Sequence, residues 1–159
     1  MSRKQRFSRN NEGFSLVELI IVIAIMAILA GALAPQLIQY LDQSRKGRDV
    51  ETAQTVATAV NAALSSEAAY NDAASCYLSQ CTITGTPTNF QKAVKTIIGT
   101  AVTNPKPKYH SGTYKDFYIK INPTDKSFEI YAVMSEVGGS LTTDPDDMLY
   151  PAVGENFAN

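Results

Sequence analysis

The 159-residue chain has no tryptophan, one histidine and two cysteines. A single His110 with Cys76 and Cys81 leaves little material for a catalytic or metal centre, since zinc needs three or four protein ligands. Two cysteines also exclude a disulfide-dense miniprotein. Charge is scarce: 18% of residues are charged and the formal net charge is −1. That excludes a disordered polyelectrolyte and a strongly basic nucleic-acid binder. No Gly-rich phosphate loop occurs, and His110 has no nucleophile signature around it, so nothing points to an enzyme. The length allows one ordinary domain with an appendage.

Apolarity and charge are segregated along the chain. Residues 1–13, MSRKQRFSRNNEG, carry Arg3, Lys4, Arg6 and Arg9 against Glu12. Residues 14–35 hold 18 hydrophobic residues out of 22, with Glu18 as the one charge. A run of this length spans a bilayer as a helix, which needs about 20 apolar residues. A secretory signal cleaved near the small residues Ala30–Ala34 is the alternative, but its apolar core would be shorter. The basic leader sets an orientation with the N-terminus in the cytoplasm and residues 36–159 outside. The twelve Leu, Ile, Val and Phe residues between Phe14 and Leu33 favour insertion by about −4 to −7 kcal/mol, against about +3 for one central acid. Insertion therefore tolerates Glu18, whose charge calls for a cationic partner or an interfacial position.

The order of basic leader, Gly13-Phe14-Ser15-Leu16-Val17-Glu18 and long apolar helix resembles the processing site of type IV prepilins and their relatives, the type II secretion pseudopilins and the competence pilins. The resemblance covers about residues 1–55. It implies that a prepilin peptidase cuts after Gly13 on the cytoplasmic side and N-methylates Phe14. It implies that Glu18 neutralises the Phe14 amine of a neighbouring subunit during assembly. Two lone charges in a low dielectric are each costly, so such a pair acts as a register device. Pro35 falls where the family often has a proline, and with Gly31 it weakens the helix; it either extends there in a filament or marks the membrane exit.

The expected fold class is α+β, a pilin fold. A long N-terminal helix, half membrane-spanning and half amphipathic, packs on a small antiparallel sheet. The domain reading is a leader at 1–13, a transmembrane or filament-core segment at 14–35 and an extracytoplasmic globular domain at 36–159. The helix is expected to run from Phe14 to about Ala69, with Val50, Ala53, Ala57, Val60 and Leu64 as its core stripe. Residues 70–89 read as a loop. Thr88 to Gln91 fits a capping box that opens a helix over 90–98, stopped by Gly99. Phe117, Ile119 and Ile121, then Phe128, Ile130, Ala132 and Met134, alternate with other residues around an Asn122–Asp125 turn and predict a β-hairpin. A third strand is expected within 101–110 or 148–154.

Outside the cytoplasm, Cys76 and Cys81 are expected to form a local disulfide, with two free thiols as the alternative. No cofactor or metal is expected. Some pseudopilins carry calcium in their C-terminal loop, which makes Asp144, Asp146 and Asp147 the place to look, although the EF-hand pattern is absent. Residues 92–126 carry seven Lys against two Asp, and residues 127–159 carry six acids with no Lys or Arg. These segments either complement a neighbouring subunit or cancel side by side within one. The chain is read as a type IV pilus subunit forming a helical homopolymer. Its partners would be prepilin peptidase, the inner-membrane assembly machinery and, before assembly, the membrane. Nucleic acid is not expected, although a competence pilin would have Lys106, Lys108, Lys115, Lys120 and Lys126 for phosphate contacts. A pseudopilin is the other alternative, weakened because Asp144-Pro145-Asp146 departs from the Asp-Pro-Trp-Gly type of stretch.

Overall fold

The computed structural model describes residues 14–82, 87–99, 106–135 and 140–158. The chain divides into two compact units, Met1–Tyr40 and Leu41–Asn159. Helix α1, Leu16–Leu64, supplies residues to both.

In the first unit, α1 is apolar on every side, and each residue from Phe14 to Tyr40 is exposed. A helix that is hydrophobic all round belongs in a membrane or a large core. Its most apolar 18-residue window has a mean hydropathy of 2.8 and buries nothing within the chain. The helix continues through Pro35, so Gly31–Pro35 is helical here.

In the second unit α1 becomes amphipathic. Ala53, Val56, Ala57, Ala59, Val60 and Ala63 are buried, with Val50 and Leu64 packed at the margin. These small side chains join the core that the sheet also lines. Thr52, Thr55 and Thr58 lie outside the stripe, and their hydroxyls donate back to the carbonyls of Arg48, Glu51 and Gln54. The helix stops at Leu64, five residues before the expected end. Ser65 and Ser66 close it with tighter bonds to Ala62 and Ala63, and Ser66 turns extended as the N-cap of α2, Glu67–Asn71. Serine competes for backbone hydrogen bonds and favours such a break.

The segment expected to be a loop contains β1, Cys76–Tyr77, and α3, Leu78–Thr82. Helix α4, Asn89–Ile98, opens with the expected capping box: the Thr88 hydroxyl accepts from Gln91 N–H, and the Gln91 side chain accepts from Thr88 N–H. Asp72 adds a second cap by accepting from Asn89 and Phe90 N–H at 2.7 and 3.0 Å. Gly99, at φ 62°, ends the helix in a conformation that favours glycine.

Strands β2, Asp116–Ile121, and β3, Phe128–Val133, form the hairpin, with Ile119 opposite Ile130 and Lys120 opposite Glu129. The turn between them is held by Asn122 and Asp125, whose side chains accept from Thr124 and Ser127 N–H. Strand β4, Met148–Tyr150, pairs with β3 and answers one of the two places expected for a third strand. The sheet is antiparallel throughout, in the order β1-β2-β3-β4. The result is the α+β architecture expected of a pilin.

Phe117, Ile119, Ile121, Ile130 and Ala132 share one core with α1, Phe90, Val94, Leu149 and Phe157. Two details of the predicted face differ. Met134 is exposed, because β3 ends at Val133. Tyr131 and Val133 are buried on the other face in a second cluster with Tyr77.

Candidate processing and assembly segment

Gly13 and the leader lie outside the described residues. Phe14 and Ser15 are non-helical and exposed, and the helix begins at Leu16. The first turn is fixed by Glu18, whose carboxylate accepts Ser15 N–H at 3.0 Å. The carboxylate thereby satisfies an N–H that a helix start leaves unpaired, and it sits at the positive end of the helix dipole. The N–H that Glu18 accepts belongs to the residue that follows Phe14. Pro35 lies seventeen positions further along the same helix and shares no local site with Glu18.

The remaining predicted residues separate into those the fold brings together and those it does not. Cys76 and Cys81 meet, with sulfurs 3.6 Å apart. In this structure both are buried thiols. Burial and the hydrogen bond with Cys76 push the Cys81 thiol far above its ordinary range, the hydrogen bond being the larger cause.

The three acids named as the place to look for calcium are separated in role by the fold. Asp144 caps the short 3-10 turn Pro145–Asp147 by accepting Asp146 N–H. Asp147 is buried and accepts from the Tyr114 hydroxyl and the Asn156 amide. Asp146 stays exposed. The Asp144 and Asp147 carboxylates serve different partners, and among the described residues no group of three or more acids, cysteines or histidines is arranged to hold a metal. His110 is exposed and stacks on Tyr109 at 4.0 Å.

Sequence reasoning missed three buried carboxylates that organise the second unit. Asp49 accepts from Lys108 and Tyr109 N–H, Asp116 from Ser79 and Phe117, and Asp147 from Tyr114 and Asn156. Burial raises the Asp49 and Asp116 carboxyls above the usual carboxylate range, and their hydrogen bonds offset part of that. For Asp49 a signal existed: it lies four residues before Ala53, on the buried stripe. The charge segments meet within one chain at the hairpin, where Lys120 Nζ lies 3.1 Å from Glu129.

Residues 8–34 match the family described as the prokaryotic N-terminal methylation motif. Over 70 residues the chain is 34% identical to the type IV major pilin protein PilA of Myxococcus xanthus, which covers 44% of this chain and 32% of that protein. The chain thus spans about a third of the length of that curated relative. No solved structure matches it.

Proposed function

We propose that this chain is a membrane-anchored member of the type IV pilin family, a structural subunit polymerised through its N-terminal helix. The observation that carries this reading is the helix from Leu16 to Tyr40, apolar on every side and wholly exposed, which opens on Phe14 and Glu18. Such a surface is stable in a bilayer, and it is equally stable against identical helices in a filament core.

Cleavage between Gly13 and Phe14 creates a free amine where an amide stood. Glu18 already holds its carboxylate beside that end of the helix, on Ser15 N–H. In the bilayer, an ammonium and a carboxylate on neighbouring subunits relieve each other only at the correct axial stagger, since removing either strands the other. The peptidase and the inner-membrane assembly machinery are the partners this reading requires, with residues 36–159 outside the cytoplasm. No step calls for a cofactor.

Intact-mass analysis of the chain produced with a prepilin peptidase tests the reading. The expected product starts at Phe14 and is about 14 Da heavier through methylation. A product starting near Ala34 would show a secretory signal and overturn it.

A further inference from the structure

Cys76 opens β1 and Cys81 lies in α3, so the pair joins the sheet's edge strand to the helix that follows it. Strand β1 has two residues and rests on two pairings, Cys76 with Ile119 and Tyr77 with Tyr118. So short an edge gains little from its own ladder. The turn after it is already gathered by polar contacts. Gln80 accepts Tyr77 N–H at 3.0 Å, the Ser79 hydroxyl donates to Asp116, and the Cys81 sulfur faces the Tyr77 carbonyl at 3.8 Å. The two sulfurs, 3.6 Å apart, need to close by about 1.5 Å to reach bonding distance. Each cysteine is at most 3% exposed.

We propose that Cys76 and Cys81 are an oxidation site, closed into a disulfide that staples the edge strand to α3 before the core packs over it. This rests on the reading that the second unit lies outside the cytoplasm, where disulfides persist. The timing follows from burial: once the unit has folded, neither sulfur offers a path to a protein oxidant. The oxidant is a disulfide-bearing thiol oxidoreductase or a small disulfide. One cysteine thiolate attacks a donor sulfur, giving a mixed disulfide and releasing one donor thiol. The second cysteine thiolate displaces the other donor sulfur. Two cysteine protons are lost, two electrons pass to the donor, and the donor leaves as two thiols. The same burial then shields the finished bond from reductants in solution.

The test uses the full chain, purified from membranes or filaments of an expressing strain. It is unfolded in denaturant with iodoacetamide and no reductant, then weighed. The expected chain takes up no alkyl group until a reductant is added under denaturing conditions, and then takes up two. Two groups taken up without reductant overturn the proposal. The start of the chain, read from the same spectrum, reports separately on processing. A Phe14 start with two free thiols overturns the disulfide alone. A start elsewhere overturns the pilin reading, while the alkylation count still decides the disulfide. Unfolding curves of the oxidised chain and of chain reduced in denaturant and refolded give the second readout. The reduced form should melt about 5–10 °C lower, and equal melting would overturn the stapling role.

Discussion

The Asp49 carboxylate grips the Lys108 backbone N–H with both oxygens, at 2.7 and 2.9 Å, across 59 positions of sequence. The second of these oxygens also accepts Tyr109 N–H at 2.8 Å. Around this grip the Lys46 ammonium lies 5.0 Å from the Tyr109 ring centre and donates to the Ala158 carbonyl. Tyr109 and Tyr114 in turn enclose Phe157. One turn of α1 therefore anchors both the segment before β2 and the final residues of the described chain.

Removing that anchor should be costly. Asp49→Ala leaves the Lys108 and Tyr109 N–H groups without their acceptor, and hydrogen bonds to a charged group contribute about 1.5–3 kcal/mol each before relaxation. We expect a net loss of about 2–4 kcal/mol in the denaturant unfolding of the full chain in detergent. Asp49→Asn keeps one acceptor oxygen and should lose less. A change below about 0.5 kcal/mol for the alanine variant would show that the grip contributes nothing net.

Acidification should not weaken the second unit in the way common for acidic proteins. Asp49 and Asp116 have carboxyls raised in the folded state, chiefly by burial. A raised folded value means that the folded form binds the proton more tightly than the unfolded form. Their contribution is then most favourable below the unfolded carboxylate value near 3.8, and it declines as pH rises through the raised folded values. Asp125 and Glu129 are lowered by bonds from Ser127 and Tyr131 and act in the opposite sense. Both have solvent-accessible carboxylates, so their effect is small. The melting temperature should hold or rise as pH falls from 7 toward 4, and Asp49→Asn should flatten that dependence. A steady decline over the same range would contradict it.

Glu18 should matter for assembly and not for insertion. Its carboxylate bonds the start of its own helix, and the apolar run is long enough to insert without it. Glu18→Ala and Glu18→Gln should therefore reach the membrane at the wild-type level while surface filaments fall at least about tenfold, the factor that 1.4 kcal/mol represents. Electron microscopy of filaments beside a membrane-fraction blot measures both. Undiminished filaments would refute the register role.

Much of this architecture was legible in the residues. The Thr88 and Gln91 capping box, the Gly99 stop and the alternation of Phe117, Ile119 and Ile121 each follow a local rule that the fold obeys. The N-terminal segment was legible because its signal is long and one-dimensional. What escaped depended on distant partners. Strand β1 has only two residues, too few for a period, and exists because β2 offers it an edge. Asp49 sits in a polar stretch, DQSRKGRD, and becomes a core residue only because residues 108 and 109 return to it. Asp147 looked like one acid among three until Tyr114 and Asn156 turned it inward. The break at Ser65 and Ser66 overrode a helical pattern that continued through Ala68 and Ala69.

The three buried carboxylates also set the order in which this unit can take shape. Asp49 waits for residues 108 and 109, Asp116 closes on Ser79, and Asp147 waits for Asn156 while holding Tyr114. Gly154 lies so close to the Asp146 carbonyl that a Cβ there would come within 2.4 Å of it, so the last stretch must fit tightly before Phe157 can seat. Contacts so far apart in sequence make for slow, all-or-none folding. A chain emerging N-terminus first would have its long helix ready well before the rest. Until residues 154–157 are in place, Asp147 lacks its Asn156 partner and Phe157 is missing from the core.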